Sequence, residues 1–256
     1  MNAALPTPAR FSFPRLSAWL ACGAGWGVFL AWLSVRLQKS GFAPVGVLSL
    51  LIGLALGAGL WGLLRWLQFG HRRGALAGTL LLAAGVVGGE HTFAYCDYRV
   101  SFERAMQSDP KLAFARASNP AMQPRTFAEY MHWEDNRGRL WLWGIDAVLI
   151  ALASTFVVAW GSAAYPYCGA CESWYATTQS GSLRDATALR LGAAAGLTLP
   201  EHARAAQYRL LTCRSGCGPS RFELSYSDPA GLHTHQTRWL TAAQRRDVTA
   251  ILESAQ

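Results

Sequence analysis

Four of the six cysteines fall in two closely spaced pairs, and their thiols are the most distinctive reactive groups in the sequence. Cys168-x-x-Cys171 lies in "YPYCGACESWY", and Cys213-x-x-x-Cys217 lies in "TCRSGC". A structural zinc ion takes four ligands in tetrahedral geometry, commonly two from each of two short turns. Glycines beside both pairs help the chain to turn. The spacing therefore predicts a structural zinc site with these four cysteines as ligands.

Two other chemistries stay open for the pairs. Disulfides would suit a tail outside the cytoplasm, and Cys168 with Cys171 could form a catalytic dithiol. The charge nearest this pair is Glu172, whereas a reactive thiolate favours a cation. Glu172 also stands where covalent haem attachment needs histidine, which excludes a c-type haem. The single cysteines Cys22 and Cys96 are expected to pack as small apolar groups.

Three ionisable residues lie within apolar segments, namely Glu90, His91 and Asp146. A carboxylate in hydrocarbon is costly and normally finds a partner or water. Pairing with His91, or with Arg99 or Arg139, is the structural interpretation, and a proton relay or ligand site is the functional one. The three residues thus form a possible intramembrane polar site.

Two further groups resemble metal ligands but are expected to be ordinary surface residues. His132, Glu134 and Asp135 are adjacent or two apart in a predicted helix, where such positions do not share a face. They are interpreted as a solvated face. His233 and His235 are expected to be surface histidines of a strand.

The elements that carry these residues begin with four long apolar segments. The chain has 256 residues, is 52% hydrophobic and only 15% charged, against about 25% charged in ordinary soluble domains. Since about 20 apolar residues cross a bilayer as a helix, spans are predicted over about 16–36, 42–66, 74–95 and 140–164. The first span lacks the cleavage site of a signal peptide. Residues 1–164 are therefore predicted to form a four-transmembrane-helix bundle.

Glycines recur at four-residue spacing in the first three spans, which places two of them on one helix face. This pattern predicts close packing inside the bundle, with self-association through one face as the alternative. The motifs are Gly23-x-x-x-Gly27, Gly53-x-x-x-Gly57, Gly74-x-x-x-Gly78 and Gly85-x-x-x-Gly89.

A long loop separates the third and fourth spans and contains one predicted helix. Thr126 and Glu129 have the spacing of a capping box, and Phe127, Tyr130 and Trp133 supply an aromatic side. An interfacial helix at the membrane surface is therefore predicted over about 126–136.

Residues 165–256 are predicted to form a small soluble α+β domain. A polar linker is expected over 177–182, a helix over 183–195, a β-hairpin around the second cysteine pair, a turn over 228–231 and a strand over 232–239. Thr241 and Gln244 form a second capping box, which starts a helix ending near Glu253. The aromatic residues of 165–175 are expected to mark where the last span leaves the lipid. So small a domain often needs a staple, such as a metal.

The net charge is +8, and most of the excess lies beside the apolar segments rather than in the tail. A nucleic-acid partner is therefore not expected. Arg65, Arg72 and Arg73 in the short second loop favour a cytoplasmic location for both termini, whereas Arg36, Lys39 and the long loop together place more Lys and Arg on the opposite side. The free cysteines of the tail also favour the cytoplasm, where both termini are expected.

The segment "LWLWGIDAVLIALASTFVVAWGSAAYPYCGACESWY" followed by "TCRSGC" resembles a group of bacterial multi-pass membrane proteins whose last span runs into a cysteine-paired, zinc-ribbon-like tail. The resemblance implies a bacterial inner membrane location and a metal-binding tail but no activity. Four-span quinone-linked disulfide oxidoreductases match poorly, because the long loop here contains no cysteine.

The sequence thus predicts a mainly α integral membrane protein with a zinc-ribbon-like C-terminal domain. We expect it to be non-enzymatic and to present a zinc-stabilised cytoplasmic domain for protein interaction or assembly. A membrane thiol–disulfide oxidoreductase using Cys168 and Cys171 is the first alternative. A small transporter or sensor using Glu90, His91 and Asp146 is the second.

Overall fold

Long helices make up the first part of the chain, and a small antiparallel sheet with two helices makes up the last part. This architecture is seen in a computed structural model that describes residues 9–41, 46–109, 111, 126–135, 140–183, 185–200, 204–227 and 233–254. The chain divides into two compact units. The helical unit is Ser12–Gly161, and the tail unit is Ser162–Gln256 together with the residues up to Phe11.

Five helices lie in the first part of the described chain. They are α1 (Phe13–Lys39), α2 (Val47–Trp66), α3 (Arg72–Ser108), α4 (Phe127–Asp135) and α5 (Leu140–Ala164). Within the described residues, four of them (α1, α2, α3 and α5) are long and apolar enough to cross a membrane. They contain the described parts of the four predicted spans, and the predicted start of the second span at 42–45 lies outside the described residues.

The third helix is longer than predicted, because it continues 13 residues past Tyr95 to Ser108. Its 37 residues correspond to about 56 Å of helix, against about 30 Å of bilayer core. Residues 96–108 contain neither proline nor glycine, so nothing in this stretch breaks the helix. The Arg99–Glu103 ion pair at i,i+4 supports it. The apolar pattern predicted the span but not its polar continuation.

Glycines in α2 allow α5 to approach closely. A Cβ on Gly57 would lie 2.8 Å from the carbonyl oxygen of Ser154, and one on Gly53 would lie 2.9 Å from the backbone of Ile150. Only a residue without a side chain permits such backbone contact. Trp19 is fully buried in the same unit, and its indole N–H donates to the carbonyl of Leu60 at 3.1 Å.

The outer surface of the helical unit is apolar. Large apolar side chains are exposed along the middle of α2, α3 and α5, for example Leu54, Leu81, Leu152, Phe156 and Trp160. A helix that is apolar on both its packed and its outer face is typical of a nonpolar environment.

Helix α4 begins at the predicted capping box. The Glu129 amide donates to Thr126 Oγ1, and the Thr126 amide donates to Glu129 Oε2, both at 3.2 Å. The aromatic side of α4 packs on α3, with Tyr130 5.5 Å from Tyr95 and Trp133 5.7 Å from Tyr98 between ring centroids. The continuation of α3 thus provides a partner for the aromatic residues that the sequence assigned to the membrane surface.

The tail unit contains a two-stranded ribbon and a four-stranded antiparallel sheet. The ribbon is β1 (Tyr167–Cys168) with β2 (Ser173–Trp174), and the sheet has the order β3 (Ala176–Leu183), β4 (Arg204–Thr212), β5 (Ser220–Ser227), β6 (His233–Leu240). Helices α6 (Asp185–Ala195) and α7 (Ala242–Ser254) complete the unit.

Strand β3 corrects one prediction, because the polar stretch 177–182 is an edge strand rather than a linker. It pairs with β4 in register from Ala176 opposite Thr212 to Leu183 opposite Ala206. Its polar residues are tolerated because an edge strand is largely solvated. The hairpin β4–β5 and the capping box of α7 are as predicted, while the predicted turn at 228–231 lies outside the described residues.

One face of the sheet forms the tail core with α6 and α7. It includes Leu210, Phe222 and Leu224 from the strands with Leu191 and Val248 from the helices. This core is small, which makes the polar contacts on the opposite face more important for stability.

Glu223 lies between the apolar residues Phe222 and Leu224 of β5, and its side chain is buried although it is charged. Its carboxylate contacts Arg209 at 2.8 Å and Arg221 at 2.9 Å. Both guanidinium groups also donate to the last turn of α5, Arg209 to the Ala164 carbonyl and Arg221 to the Ala163 carbonyl. These arginines satisfy carbonyl groups that have no partner inside the helix.

Candidate metal centre

The first cysteine pair lies in the tight turn of the β1–β2 ribbon. Cys168 pairs with Ser173 and Tyr167 pairs with Trp174, so Cys171 lies in the turn between the two strands. Glu172 has a φ of 49°, in the left-handed region. This conformation lets the chain reverse immediately after Cys171.

The second pair lies in the turn that joins β4 to β5. Cys213 directly follows β4, and the Gly216 amide donates to the Cys213 carbonyl at 3.0 Å. Gly216 has a φ of 64°, which only glycine adopts without strain. The turn directs Cys217 back toward Cys213.

The two turns bring all four sulfur atoms within 4.8 Å of one another. The Cys168–Cys217 distance is 3.6 Å and the Cys213–Cys217 distance is 3.8 Å. Four thiolates at about 2.3 Å from a tetrahedral metal ion are about 3.8 Å apart, whereas a disulfide needs about 2.05 Å. All four thiols are free, and the cluster they form could hold a metal ion.

Backbone amides point at the two buried sulfurs. The Gly218 amide donates to Cys213 Sγ at 3.3 Å, and the amides of Ala170 and Cys171 bond Cys168 Sγ. Such contacts stabilise thiolates and fix the orientation of metal ligands. Gly218 is also required sterically, because a Cβ there would lie 2.6 Å from the Tyr175 hydroxyl and 3.4 Å from Cys168 Sγ.

The four thiols differ in their surroundings. Cys168 and Cys213 are buried, Cys171 is partly buried and Cys217 is exposed. Burial raises the pKa of Cys168 to about 12 and also raises the pKa of Cys213. For Cys171, burial raises the pKa, but hydrogen bonds from Ser173 and neighbouring groups outweigh it and lower the pKa to about 6. A bound cation would remove the protons from the two buried thiols.

Tyr175 closes one side of the cluster. It is fully buried, its hydroxyl donates to the Pro219 carbonyl at 2.7 Å, and its ring contacts Trp239 edge to face. Trp174 is buried as well. The expectation that these aromatic residues mark a lipid interface is therefore wrong for Tyr175 and Trp174, which pack inside the tail.

The remaining cysteines and the other described histidines lie outside the cluster. Cys22 and Cys96 are exposed on the helical unit, so neither packs inside it as predicted. His233 and His235 are exposed and share hydrogen bonds with Ser227 and Ser225, as expected for surface residues of a strand.

The predicted polar site of the helical unit lines a cavity of about 280 Å³. Glu90, His91 and Asp146 all contribute to its wall. Asp146 accepts a hydrogen bond from Ser49 at 2.6 Å, and the His91 ring packs on Trp143 with centroids 4.0 Å apart. The predicted alternative partner Arg99 pairs with Glu103 instead, and Arg139 lies outside the described residues.

Glu134 is a further wall residue, and the interpretation of it as solvated is wrong. It is 3% exposed and lies in the same cavity wall as the three predicted residues. The helical spacing of 132–135 correctly indicated that His132, Glu134 and Asp135 diverge. It could not show that α4 turns Glu134 inward, because this depends on α4 packing against α3. Ser49 was missed as well, since one serine in an apolar helix gives no signal.

No protein family matches the chain, and no curated protein or solved structure gives a match. The resemblance to membrane proteins with a zinc-ribbon-like tail stays a prediction.

Proposed function

We propose that this chain is an integral membrane protein that presents a zinc-stabilised domain on the cytoplasmic side of a bacterial inner membrane, where the domain binds a partner protein or mediates assembly. The observation that carries the proposal is the clustering of four free thiols, all within 4.8 Å of one another, in a small domain that follows four membrane-length helices.

The membrane location is supported by the outward-facing side chains of the helical unit. Residues such as Leu152, Phe156 and Trp160 would each expose apolar surface to water outside a bilayer. A surface apolar on this scale is stable in lipid and aggregates in water. The cytoplasmic side is supported by the free thiols, which persist in a reducing compartment, and by the arginines of the second loop.

Zinc is the proposed ion because the donor set consists of four sulfurs. Thiolates favour zinc or iron, whereas magnesium and calcium take oxygen ligands. The ion would be held by Cys168, Cys171, Cys213 and Cys217, leaving no position for substrate. A closed four-ligand site stabilises a fold, which suits a tail with a small core.

Self-association is supported by glycines that make no close contact within the bundle. Gly85 and Gly88 of α3 have no neighbouring atom within 4 Å of an added Cβ, whereas Gly78 of the same helix packs against Trp19. A stripe of small residues on an outer helix face lets a second helix approach closely.

The lowered pKa of Cys171 also favours the thiol–disulfide alternative, because a thiolate at neutral pH is the reactive form.

Metal analysis of the full chain in mild detergent separates the two functions. We expect about one zinc per chain and its loss in Cys213→Ser, with Cys22→Ser as the matched control. Protein without metal that carries a reversible Cys168–Cys171 disulfide would favour the oxidoreductase.

A reporter fused to the C-terminus tests the side of the membrane. Activity of a cytoplasmic reporter supports the proposal, and activity of a periplasmic reporter contradicts it.

Co-purification of two differently tagged copies tests assembly. We expect Gly85→Leu to reduce it, with Gly62→Leu, which also has open space around it, as the control.

A further inference from the structure

The cavity of the helical unit is built by all five of its helices. One residue from each shows this: Gln38 (α1), Ser49 (α2), Glu90 (α3), Glu134 (α4) and Asp146 (α5). Its volume of about 280 Å³ equals that of about nine waters. Close packing elsewhere in the unit shows that these helices can approach without leaving space. A cavity lined by apolar side chains and a few polar groups is the usual form of a small-molecule site.

The described residues that line the cavity include three acids but no lysine or arginine. Asp146 accepts from the Ser49 hydroxyl, and Glu90 accepts from the Ser34 hydroxyl. Hydroxyl groups orient carboxylates but do not neutralise them. The Lys39 ammonium, one residue after Gln38, pairs with Asp97 at 2.6 Å.

The spacing of the acids argues against a metal ion. Among the described residues, only the four cysteines bring three or more metal-binding side chains within 4.8 Å of one another. Among the described residues of the cavity, no three ligand groups therefore come close enough to hold one ion together. An extended cation, with positive groups separated by carbon atoms, can contact more than one of them.

Aromatic rings complete the wall. Trp143 packs against His91, and Tyr130 is buried beside the acids. Aromatic faces attract ammonium groups and also bury the carbon chain between them. The lining therefore combines negative charge with apolar surface, which suits an organic cation better than a hydrated ion.

We propose that this cavity binds a small organic cation carrying primary ammonium groups, held by Glu90 and Asp146, with Glu134 of α4 also lining the cavity. The site is independent of the cysteine centre and of any role of the tail. Binding places a ligand among all five helices, so it would also stabilise the helical unit.

Titration calorimetry on the full chain in detergent tests the proposal, with 1,4-diaminobutane as the probe. We expect saturable binding, and no binding of the neutral analogue 1,4-butanediol or of Mg²⁺ at the same concentration. Asp146→Asn and Glu90→Gln should each weaken diamine binding about tenfold or more. Glu103→Gln, an exposed acid on α3, should leave it unchanged.

Each contrary result overturns the site. The absence of diamine binding by the unchanged protein up to about 10 mM would mean that the acids are neutralised by protons alone. Equal binding of butanediol would show an apolar void, and preference for Mg²⁺ would show an ion site. If one variant fails to fold, the other variant and the wild-type comparison of diamine with butanediol still decide.

Discussion

The tail unit and the helical unit use polar side chains in opposite ways. In the tail, polar groups contact one another directly, with four sulfurs within 4.8 Å and Glu223 between two arginines. In the helical unit, tight contacts are made by glycines and backbone, while buried and partly buried acids line a cavity.

The difference fits the surroundings that we propose for each unit. A domain of about 90 residues buries little apolar surface, so it would gain stability from a metal or from paired charges. Helices in lipid gain little from apolar contact and depend on close approach. The acids that line the cavity of the helical unit are therefore candidates for ligand binding, whereas the polar groups of the tail would be structural.

The largest effect is expected from Cys213→Ser, which tests whether the four cysteines stabilise the tail unit through a metal. Structural zinc sites contribute about 10–16 kcal/mol of apparent binding free energy through four ligands, so losing one should lower zinc affinity at least about 100-fold. Metal analysis and protease sensitivity of β4 and β5 measure the loss. A fully folded, zinc-free tail would show that the cysteines are not a staple. Cys22→Ser should change neither quantity.

The second effect concerns the charges of the tail. Glu223→Ala leaves two arginines without their shared carboxylate and should lower the free energy of unfolding by about 3 kcal/mol. Faster hydrogen exchange in β4 and β5 of the full chain, compared with α2, measures it. Glu253→Ala on the exposed side of α7 is the control. Equal exchange in Glu223→Ala and Glu253→Ala would refute a stabilising role for Glu223 and its two arginines.

The third effect is the pH dependence of zinc binding. Cys168 and Cys213 have raised pKa values and are protonated at neutral pH without metal. Zinc must displace at least two protons, so its apparent affinity should rise about 100-fold per pH unit near pH 7. Competition with a chromophoric chelator between about pH 6 and 8 measures the slope. A slope near zero would mean that the thiols are already ionised.

The smallest effect tests the helical unit. Gly57→Ala forces backbone apart, because its Cβ would lie 2.8 Å from Ser154, and should cost about 1–3 kcal/mol. Gly62→Ala on the same helix meets no atom within 4 Å and should be neutral or slightly stabilising. The unfolding midpoint in a dodecyl sulfate titration compares them. Equal midpoints would contradict the importance of glycine packing.

The cysteine cluster could be predicted from sequence because each pair is local, and each short turn brings its own sulfurs together. The four apolar helices were predictable for the same reason, since length and composition are local properties. The burial of Glu134 could not be predicted, because it depends on how α4 packs against α3. Strand β3 could not be predicted either, because its polar sequence resembles a linker and its strand conformation depends on pairing with β4.

The exposure of Cys217 means that solvent reaches the cysteine cluster at this residue first. Three sulfurs are at least partly covered, and the fourth faces water. An external thiol or chelator meets this sulfur first, so the rate of metal exchange should depend on Cys217, while the affinity depends on all four. An oxidant has the same route to Cys217, although oxidation also depends on thiolate character, which is greater at Cys171.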